Sequence, residues 1–136
     1  MEIRNTYKKA IELMRSSNIL ALSIIDECDY PKIYAMEKVI SEDLSKIIFI
    51  TKKNSNKVRL LNIDNKCCVE LHTDDDSICL KGSIEIQEDD EVKKKILPSQ
   101  YVERLERSGM QRYCVLIFTA FNADLYVDNN SQIIDL

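Results

Sequence analysis

The sequence predicts a mainly β domain, an antiparallel barrel of six to seven strands with flanking helices. Its length of 136 residues suits a single domain over residues 1–136. Several segments have the apolar or alternating pattern of β-strands, and short polar turns join them as hairpins. Amphipathic segments interrupt the strands at a few points, where helices would cover the ends of a barrel.

The first half of the chain predicts one helix followed by three strands. Apolar residues recur at helical spacing over residues 3–15, which indicates an amphipathic helix. Residues 19–25 form a continuous apolar run rich in β-branched side chains, which predicts a strand buried on both faces. Turn-forming residues then lead into a second strand over 32–40, and a polar connection leads into a third over 46–52.

The second half continues with helices and further antiparallel strands. Ser55 is a predicted N-cap, because a serine oxygen before an apolar helical segment can accept a backbone N–H bond. The remaining elements are a short helix after Ser55, strands 66–73 and 77–87, helices 88–97 and 98–107, a long strand 112–128 and a short strand 131–136. The pair of helices begins with acidic residues and restarts at Pro98, which is favoured in a first helical turn.

The scarcity of glycine and histidine excludes several kinds of site. The two glycines, Gly82 and Gly109, are far apart, which excludes the glycine-rich loops that hold phosphate in many nucleotide-binding proteins. The single histidine, His72, excludes a centre of several histidines, and we predict no metal site. Any bound phosphate must therefore contact side chains and the backbone of an ordinary helix or strand.

Charge and cysteine content predict a cytoplasmic protein that binds neither nucleic acid nor membrane. The chain has 19 basic and 23 acidic residues, a formal net charge of −4, whereas nucleic-acid and anionic-membrane binders need a basic excess. The five cysteines show no CxxC spacing, and the first residues contain no apolar signal core. We expect reduced thiols, with Cys67 and Cys68 on opposite faces of a strand rather than acting as a redox or metal pair.

The most informative local pattern joins the end of the third strand to the following helix. Thr51 ends the strand, Ser55 precedes the helix, and Lys57 lies in its first turn. Two hydroxyls, the free amides of a helix N-terminus and one ammonium are all donors suited to a phosphate. The alternative is an ordinary capped helix with surface lysines, and local chemistry alone leaves both interpretations open.

Five short motifs, in the same order, resemble the pyridoxamine 5′-phosphate oxidase-like family of FMN-binding split barrels, which includes general stress proteins. The match runs from Tyr30 to Glu85. The motifs are Tyr30-Pro31 with Met36, Phe49 with Thr51, Ser55 with Lys57-Val58, Asn62 with Asn65-Lys66, and Gly82 with Ile84-Glu85.

The resemblance implies a homodimer with FMN at the subunit interface. The residues it assigns to cofactor binding are Tyr34, Met36, Lys38, Ile50, Thr51, Ser55, Asn56 and Lys57, of which Lys38 and Asn56 are secondary. Among these, Thr51, Ser55 and Lys57 are assigned to the phosphate, and Met36 with Ile50 to the edge of the isoalloxazine ring. The residues from Tyr34 to Lys38 would line one side of the flavin.

Departures from the family pattern argue against pyridoxamine phosphate oxidation. True oxidases of the family carry an arginine where Tyr34 stands, and a glutamine where Ser77 stands. Residues 113–136 contain no lysine or arginine to bind the phosphate of a substrate. The resemblance therefore implies a flavin-dependent oxidoreductase that acts on a small organic acceptor, with no residue assigned as general acid or base.

Other interpretations remain open at the level of sequence. The chain could be a non-catalytic flavin-binding stress-response module, a haem-binding split barrel that uses His72, or a barrel without a ligand. Three tyrosines, Tyr101, Tyr113 and Tyr126, either stack on a flavin of the neighbouring subunit or pack at the barrel rim. The spectrum of the purified protein distinguishes flavin, haem and no cofactor.

Overall fold

The fold is a mainly β barrel with helices at its ends, as the sequence predicts. A computed structural model describes residues 3–136, with side chains from residue 5. The helices are α1 (Ile3–Ser16), α2 (Asn56–Ile63), α3 (Asp90–Ile96) and α4 (Ser99–Ser108), and a 3-10 turn covers Met110–Arg112. The strands are β1 (Ile19–Ile25), β2 (Pro31–Glu42), β3 (Lys46–Lys52), β4 (Lys66–His72), β5 (Ser77–Gln87), β6 (Tyr113–Val127) and β7 (Asn130–Asp135).

Six of the strands close into an antiparallel barrel. The strands lie in the order β3-β2-β1-β4-β5-β6-β7, and β3 also pairs with β6, which closes the ring. The long strand β6 pairs with β3 along its first half and with β7 along its second half. The six-stranded barrel with one additional strand confirms the predicted fold class.

Alternate residues of the six barrel strands point into its interior. Leu20, Leu22 and Ile24 of β1 are fully or almost fully buried, and so are Phe49 of β3 and Phe118 of β6. Helix α2 adds three buried side chains to this core and so closes one end of the barrel. Helix α1 packs against β6 and β7.

A second, smaller core lies outside the barrel. It packs the outward side chains Ile48 of β3 and Val115 of β6 against Leu97, Leu105 and Met110 of the helical segment between β5 and β6. This segment therefore covers the outer face of the β3–β6 pair. It also forms one wall of the two cavities described below.

The prediction that β1 is buried on both faces is wrong for the single chain. Its burial alternates, and Ile19, on the outward side, is 58% exposed. The helices cover other parts of the barrel, so the outer face of β1 and β2, which includes Ile33 at 71% exposure, is left uncovered within the described chain. The continuous apolar run therefore places apolar side chains on both faces of β1, and only the inward ones are fully buried within the described chain.

The barrel is split between β2 and β3. Strand β2 pairs with β3 only from Lys38 onward, where it faces Phe49, whereas residues 31–37 pair with β1 alone among the described strands. Residues 50–52 of β3 pair with β6 on one side and have no ladder partner on the other. The gap between these two strand segments exposes backbone edges and opens the barrel wall.

Within residues 3–136, no helix is long and apolar enough to cross a membrane.

Candidate cofactor site

The segment after β3 forms the capped helix start that the sequence predicts. Ser55 is the N-cap of α2, and its hydroxyl oxygen accepts the Val58 amide N–H at 3.4 Å. The amides of Asn56 and Lys57 have no backbone acceptor within residues 3–136, as is usual in a first helical turn. The Ser55 hydroxyl keeps its own hydrogen to donate, so this turn presents several donors to an anion.

Three of the predicted residues meet beside this helix start. The Asn56 side-chain amide donates to the Tyr34 hydroxyl at 3.0 Å, which joins α2 to β2. The Lys57 ammonium lies 5.1 Å from the centre of the Tyr34 ring, within the range of a cation–π interaction. Lys32 approaches the same ring at 5.9 Å. Tyr34 therefore holds Asn56 and Lys57 together, at the place where family oxidases carry an arginine.

Arg59 is a residue that the sequence analysis missed. Its guanidinium Nε donates to the Asn56 side-chain oxygen at 3.1 Å, and its two terminal nitrogens pair with the Glu27 carboxylate at 3.1 and 3.3 Å. The hydrogen bond from Arg59 holds the pKa of Glu27 below its ordinary value. The spacing of three residues from Asn56 on one helix was an available signal. Its ion-pair partner Glu27 lies in a turn 32 residues earlier, so sequence spacing could not indicate that pair.

Ile50 and Thr51 border a cavity at the split between β2 and β3. Its volume is about 360 Å³, and its walls include Glu37 and Val39 of β2 and Arg104 and Ser108 of α4, besides Ile50 and Thr51. Thr51 is 8% exposed, and Ile50 is half-buried. The strand end thus joins the capped helix to an open space beside unpaired strand edges.

The side chains of Met36 and Lys38 point away from this cluster. Met36 is 5% exposed within the barrel core. The buried Lys38 ammonium donates to the carbonyl oxygens of Met14 and Arg15 and to the Ser41 hydroxyl. Burial lowers the pKa of Lys38. Its bonds satisfy carbonyls at the C-terminal end of α1, so this lysine closes a helix rather than reaching the start of α2.

His72 lies on a different face of the barrel. Its imidazole Nδ1 is 2.8 Å from a carboxylate oxygen of Glu70, and the side chain is 72% exposed. A groove of about 230 Å³ beside it is lined mainly by apolar residues of β1 and β2, among them Ile19 and Ile33. Within the described chain, no group of three or more histidine, cysteine or acidic side chains could hold a metal ion.

The cysteines are all free, and their environments differ. Cys67 points into the core, and Cys68 is half-exposed on the other face of β4, as the sequence predicts. Burial raises the pKa of the Cys67 thiol to about 12 and that of Cys114 to about 11. Thiols with such pKa values are poor nucleophiles at neutral pH.

A closed antiparallel barrel that is split at β2 and β3, with polar groups gathered at the split, defines a split barrel with a candidate ligand site. The chain is similar to a Clostridium acetobutylicum protein related to general stress protein 26 of the pyridoxinephosphate oxidase family, with a TM-score of 0.86 and 25% identity over 99% of this chain and 97% of that one. It is also similar to general stress protein 26 of Bacillus anthracis, with a TM-score of 0.73 and 20% identity over the full length of both chains.

A haem-binding protein of Mycobacterium smegmatis shares the fold at a TM-score of 0.76 and 12% identity, over 96% of this chain and 57% of that protein. No family model and no curated protein sequence matches the chain. The structural neighbours confirm the predicted resemblance to the pyridoxamine 5′-phosphate oxidase-like split-barrel family, including its general stress proteins.

Proposed function

We propose that this chain binds FMN, with the phosphate at the start of α2 and the ring system along the split between β2 and β3. The observation that carries the proposal is the meeting of Tyr34, Asn56 and Lys57 beside the free first-turn amides of α2. The donors available there are an ammonium, a side-chain amide, two hydroxyls and two backbone amides, which fit a phosphate.

Tyr34 stands where family oxidases carry an arginine, but the loss of that cation from the proposed phosphate site is partly offset. Arg59 brings a guanidinium to the same cluster through its bond to Asn56. Glu27 already pairs with that guanidinium, so its charge is partly compensated before a phosphate arrives. Lys57 makes no ion pair within the described chain, and it is therefore the cation that we assign to the phosphate.

The ring system would lie where the strand edges are unpaired. Residues 31–37 of β2 and 50–52 of β3 have no ladder partner toward each other, so their backbone groups on that side can bond to a planar heterocycle. Ile50 and Thr51 supply an apolar and a hydroxyl surface there. Met36 would contribute through its backbone, because its side chain is in the core. FMN, when bound, supplies the redox chemistry.

The partner of this chain is proposed to be a second copy. The outer face of β1 and β2 exposes the large apolar side chains of Ile19 and Ile33, which association would bury. FMN would then lie near the subunit interface. We further propose a cytoplasmic protein, in keeping with five free cysteines.

The proposed activity is the flavin-dependent reduction of a small organic acceptor. Pyridoxamine phosphate is disfavoured as a substrate, because residues 113–136 contain no lysine or arginine. Within the described chain, no buried acid or base lines the cavity at the split, and Glu37 in its wall is exposed. The chain's own contribution is to bind and orient the flavin and to shield it from water.

Titration of FMN into the purified apoprotein tests the proposal, with quenching of flavin fluorescence as the readout. We expect Lys57→Ala to weaken binding by roughly 10- to 150-fold, the effect of losing a charged hydrogen bond of about 1.5–3 kcal/mol. Lys8→Ala, an exposed lysine on α1, should leave the affinity unchanged. Equal affinities of wild type and Lys57→Ala would contradict the phosphate assignment.

Two alternatives are separated by spectroscopy. Bleaching of bound flavin by NADH or NADPH, followed by reoxidation with a quinone or nitroaromatic acceptor, indicates turnover. Stable bound FMN without bleaching indicates a non-catalytic flavin module. A Soret band that is lost in His72→Ala would instead favour haem at the apolar groove beside that residue.

A further inference from the structure

A second groove lies next to the cavity at the split. Its volume is about 530 Å³, and its lining, here called the basic groove, comprises Lys52, Lys53, Asn54, Gln111, Arg112 and Tyr113. Three of these six side chains are cations, and the other three carry amide or hydroxyl groups. The groove concentrates positive charge in a chain whose net charge is −4.

The cations of the basic groove lack acidic partners. Within residues 3–136, Lys52, Lys53 and Arg112 make no salt bridge and no side-chain hydrogen bond. Asp90 lies close enough to interact with Lys53, since its pKa is lowered chiefly by its bond to Lys93 and more weakly by the charge of Lys53. Uncompensated cations that converge in a groove attract an anionic ligand.

Backbone hydrogen bonds fix the strand end and the turn that carry these cations. The Lys53 amide donates to the Arg112 carbonyl at 2.8 Å, and Lys52 faces Tyr113 in the β3–β6 ladder. Both sides of the basic groove are thus tied to one end of the barrel. The backbone of the basic groove is therefore ordered before an anion binds, and only side-chain freedom is lost on binding.

The basic groove adjoins the cavity proposed for the flavin ring. Lys52 and Tyr113 line both spaces. The cluster at Lys57 provides a separate phosphate site, so the basic groove is not needed for the phosphate of FMN. An elongated ligand could place one end beside Ile50 and Thr51 and its charged centre in the basic groove.

We propose that the basic groove binds the diphosphate of a reduced nicotinamide dinucleotide, NADH or NADPH, which is the electron donor of the protein. Lys53 and Arg112 would hold the diphosphate, and Asn54 and Gln111 offer amide groups to the ribose hydroxyls. The assignment of the dinucleotide as donor rests on the proposed flavin function. The binding of a diphosphate by the basic groove does not.

Calorimetric titration of NADPH and of NADH into the FMN-free protein tests the proposal. For Lys53→Gln with Arg112→Gln, we expect binding of the preferred dinucleotide to weaken by at least about tenfold, the effect of losing charged hydrogen bonds. The affinity for FMN should change by less than about twofold, since its proposed phosphate site is elsewhere. Both residues are exposed, and Lys8→Gln on α1 is the matched control.

Several outcomes would overturn the proposal. They are an unchanged dinucleotide affinity in the double variant, no binding of either dinucleotide by wild type, and loss of FMN affinity in the double variant. Equal affinity for ADP would also overturn it, because the nicotinamide half would then contribute nothing. Dinucleotide binding that depends on Lys53 and Arg112 in a protein that does not bind FMN would support the groove and refute the flavin function.

Discussion

The buried Lys93 allows a test of what stabilises the helical segment between β5 and β6, which forms one wall of the two cavities. Its side chain is fully buried, and its ammonium donates to the carbonyl oxygens of Met110 and Tyr113 at 2.9 and 2.8 Å. It also pairs with the Asp90 carboxylate at 2.7 Å. Lys93 therefore ties α3 to the 3-10 turn and to the start of β6.

Lys93→Ala removes these bonds and leaves two carbonyls without their donor. Each charged hydrogen bond contributes about 1.5–3 kcal/mol, whereas the Asp90 carboxylate is 46% exposed and can be solvated when its partner is removed. We expect Lys93→Ala to lower the free energy of unfolding by about 3–5 kcal/mol, from the two unsatisfied carbonyls and the cavity that the shorter side chain leaves. Lys93→Met, which keeps most of the volume, should cost less.

Urea unfolding followed by circular dichroism measures these differences. Lys94→Ala is the matched control, because the Lys94 side chain is 42% exposed and its ammonium pairs with Glu91 at 3.3 Å. An exposed pair of this kind contributes about 0–1 kcal/mol. If Lys93→Ala and Lys94→Ala reduce stability equally, the bonds of Lys93 do not hold this segment, and the reasoning is refuted.

Two further predictions concern stability. Gly82→Ala should lower the free energy of unfolding by about 1–3 kcal/mol or more, because the added Cβ would lie 2.0 Å from the Thr119 carbonyl oxygen; an unchanged urea midpoint would contradict this close approach. The pKa of Asp90 is lowered in the folded state by its lysine partner, so its contribution is present above the unfolded pKa and is lost as pH falls through the folded one. Asp90→Asn should therefore reduce the loss of thermal stability between about pH 5 and 2, and identical pH profiles would show that the pair contributes nothing.

Local patterns were sufficient to predict most of the fold. The alternating or β-branched runs gave every strand, and the cap at Ser55 is a feature of a few neighbouring residues. The 3-10 turn before β6 was not predicted, because three residues carry too little periodicity to indicate it. Strand β1 was predicted to have two buried faces because its residues are apolar on both sides. An apolar run does not indicate whether the same chain covers each side.

The candidate site was less predictable, because its contacts join distant segments. The bond between Asn56 and Tyr34 spans 22 residues, and the ion pair of Arg59 with Glu27 spans 32. Lys38 was assigned to the cofactor, although its ammonium bonds to carbonyls more than 20 residues earlier in α1. Sequence spacing indicates which hydrogen-bond donors lie on one helical turn. It does not show which of them already donate to other parts of the folded chain.

The uncovered face of β1 and β2 explains why the sequence indicated more burial than one chain provides. If a second copy covers this face, β1 becomes buried on both sides, as its apolar run suggests. Ile33→Lys should then convert a dimer to a monomer in analytical ultracentrifugation, because a lysine in the centre of an apolar interface leaves a buried charge. Ile133→Lys is the matched control, since Ile133 on β7 is 74% exposed, close to the 71% of Ile33. A wild-type monomer at micromolar concentration, or an Ile33→Lys dimer, would show that another molecule or only solvent covers this face, and the placement of FMN at a subunit interface would have to be abandoned.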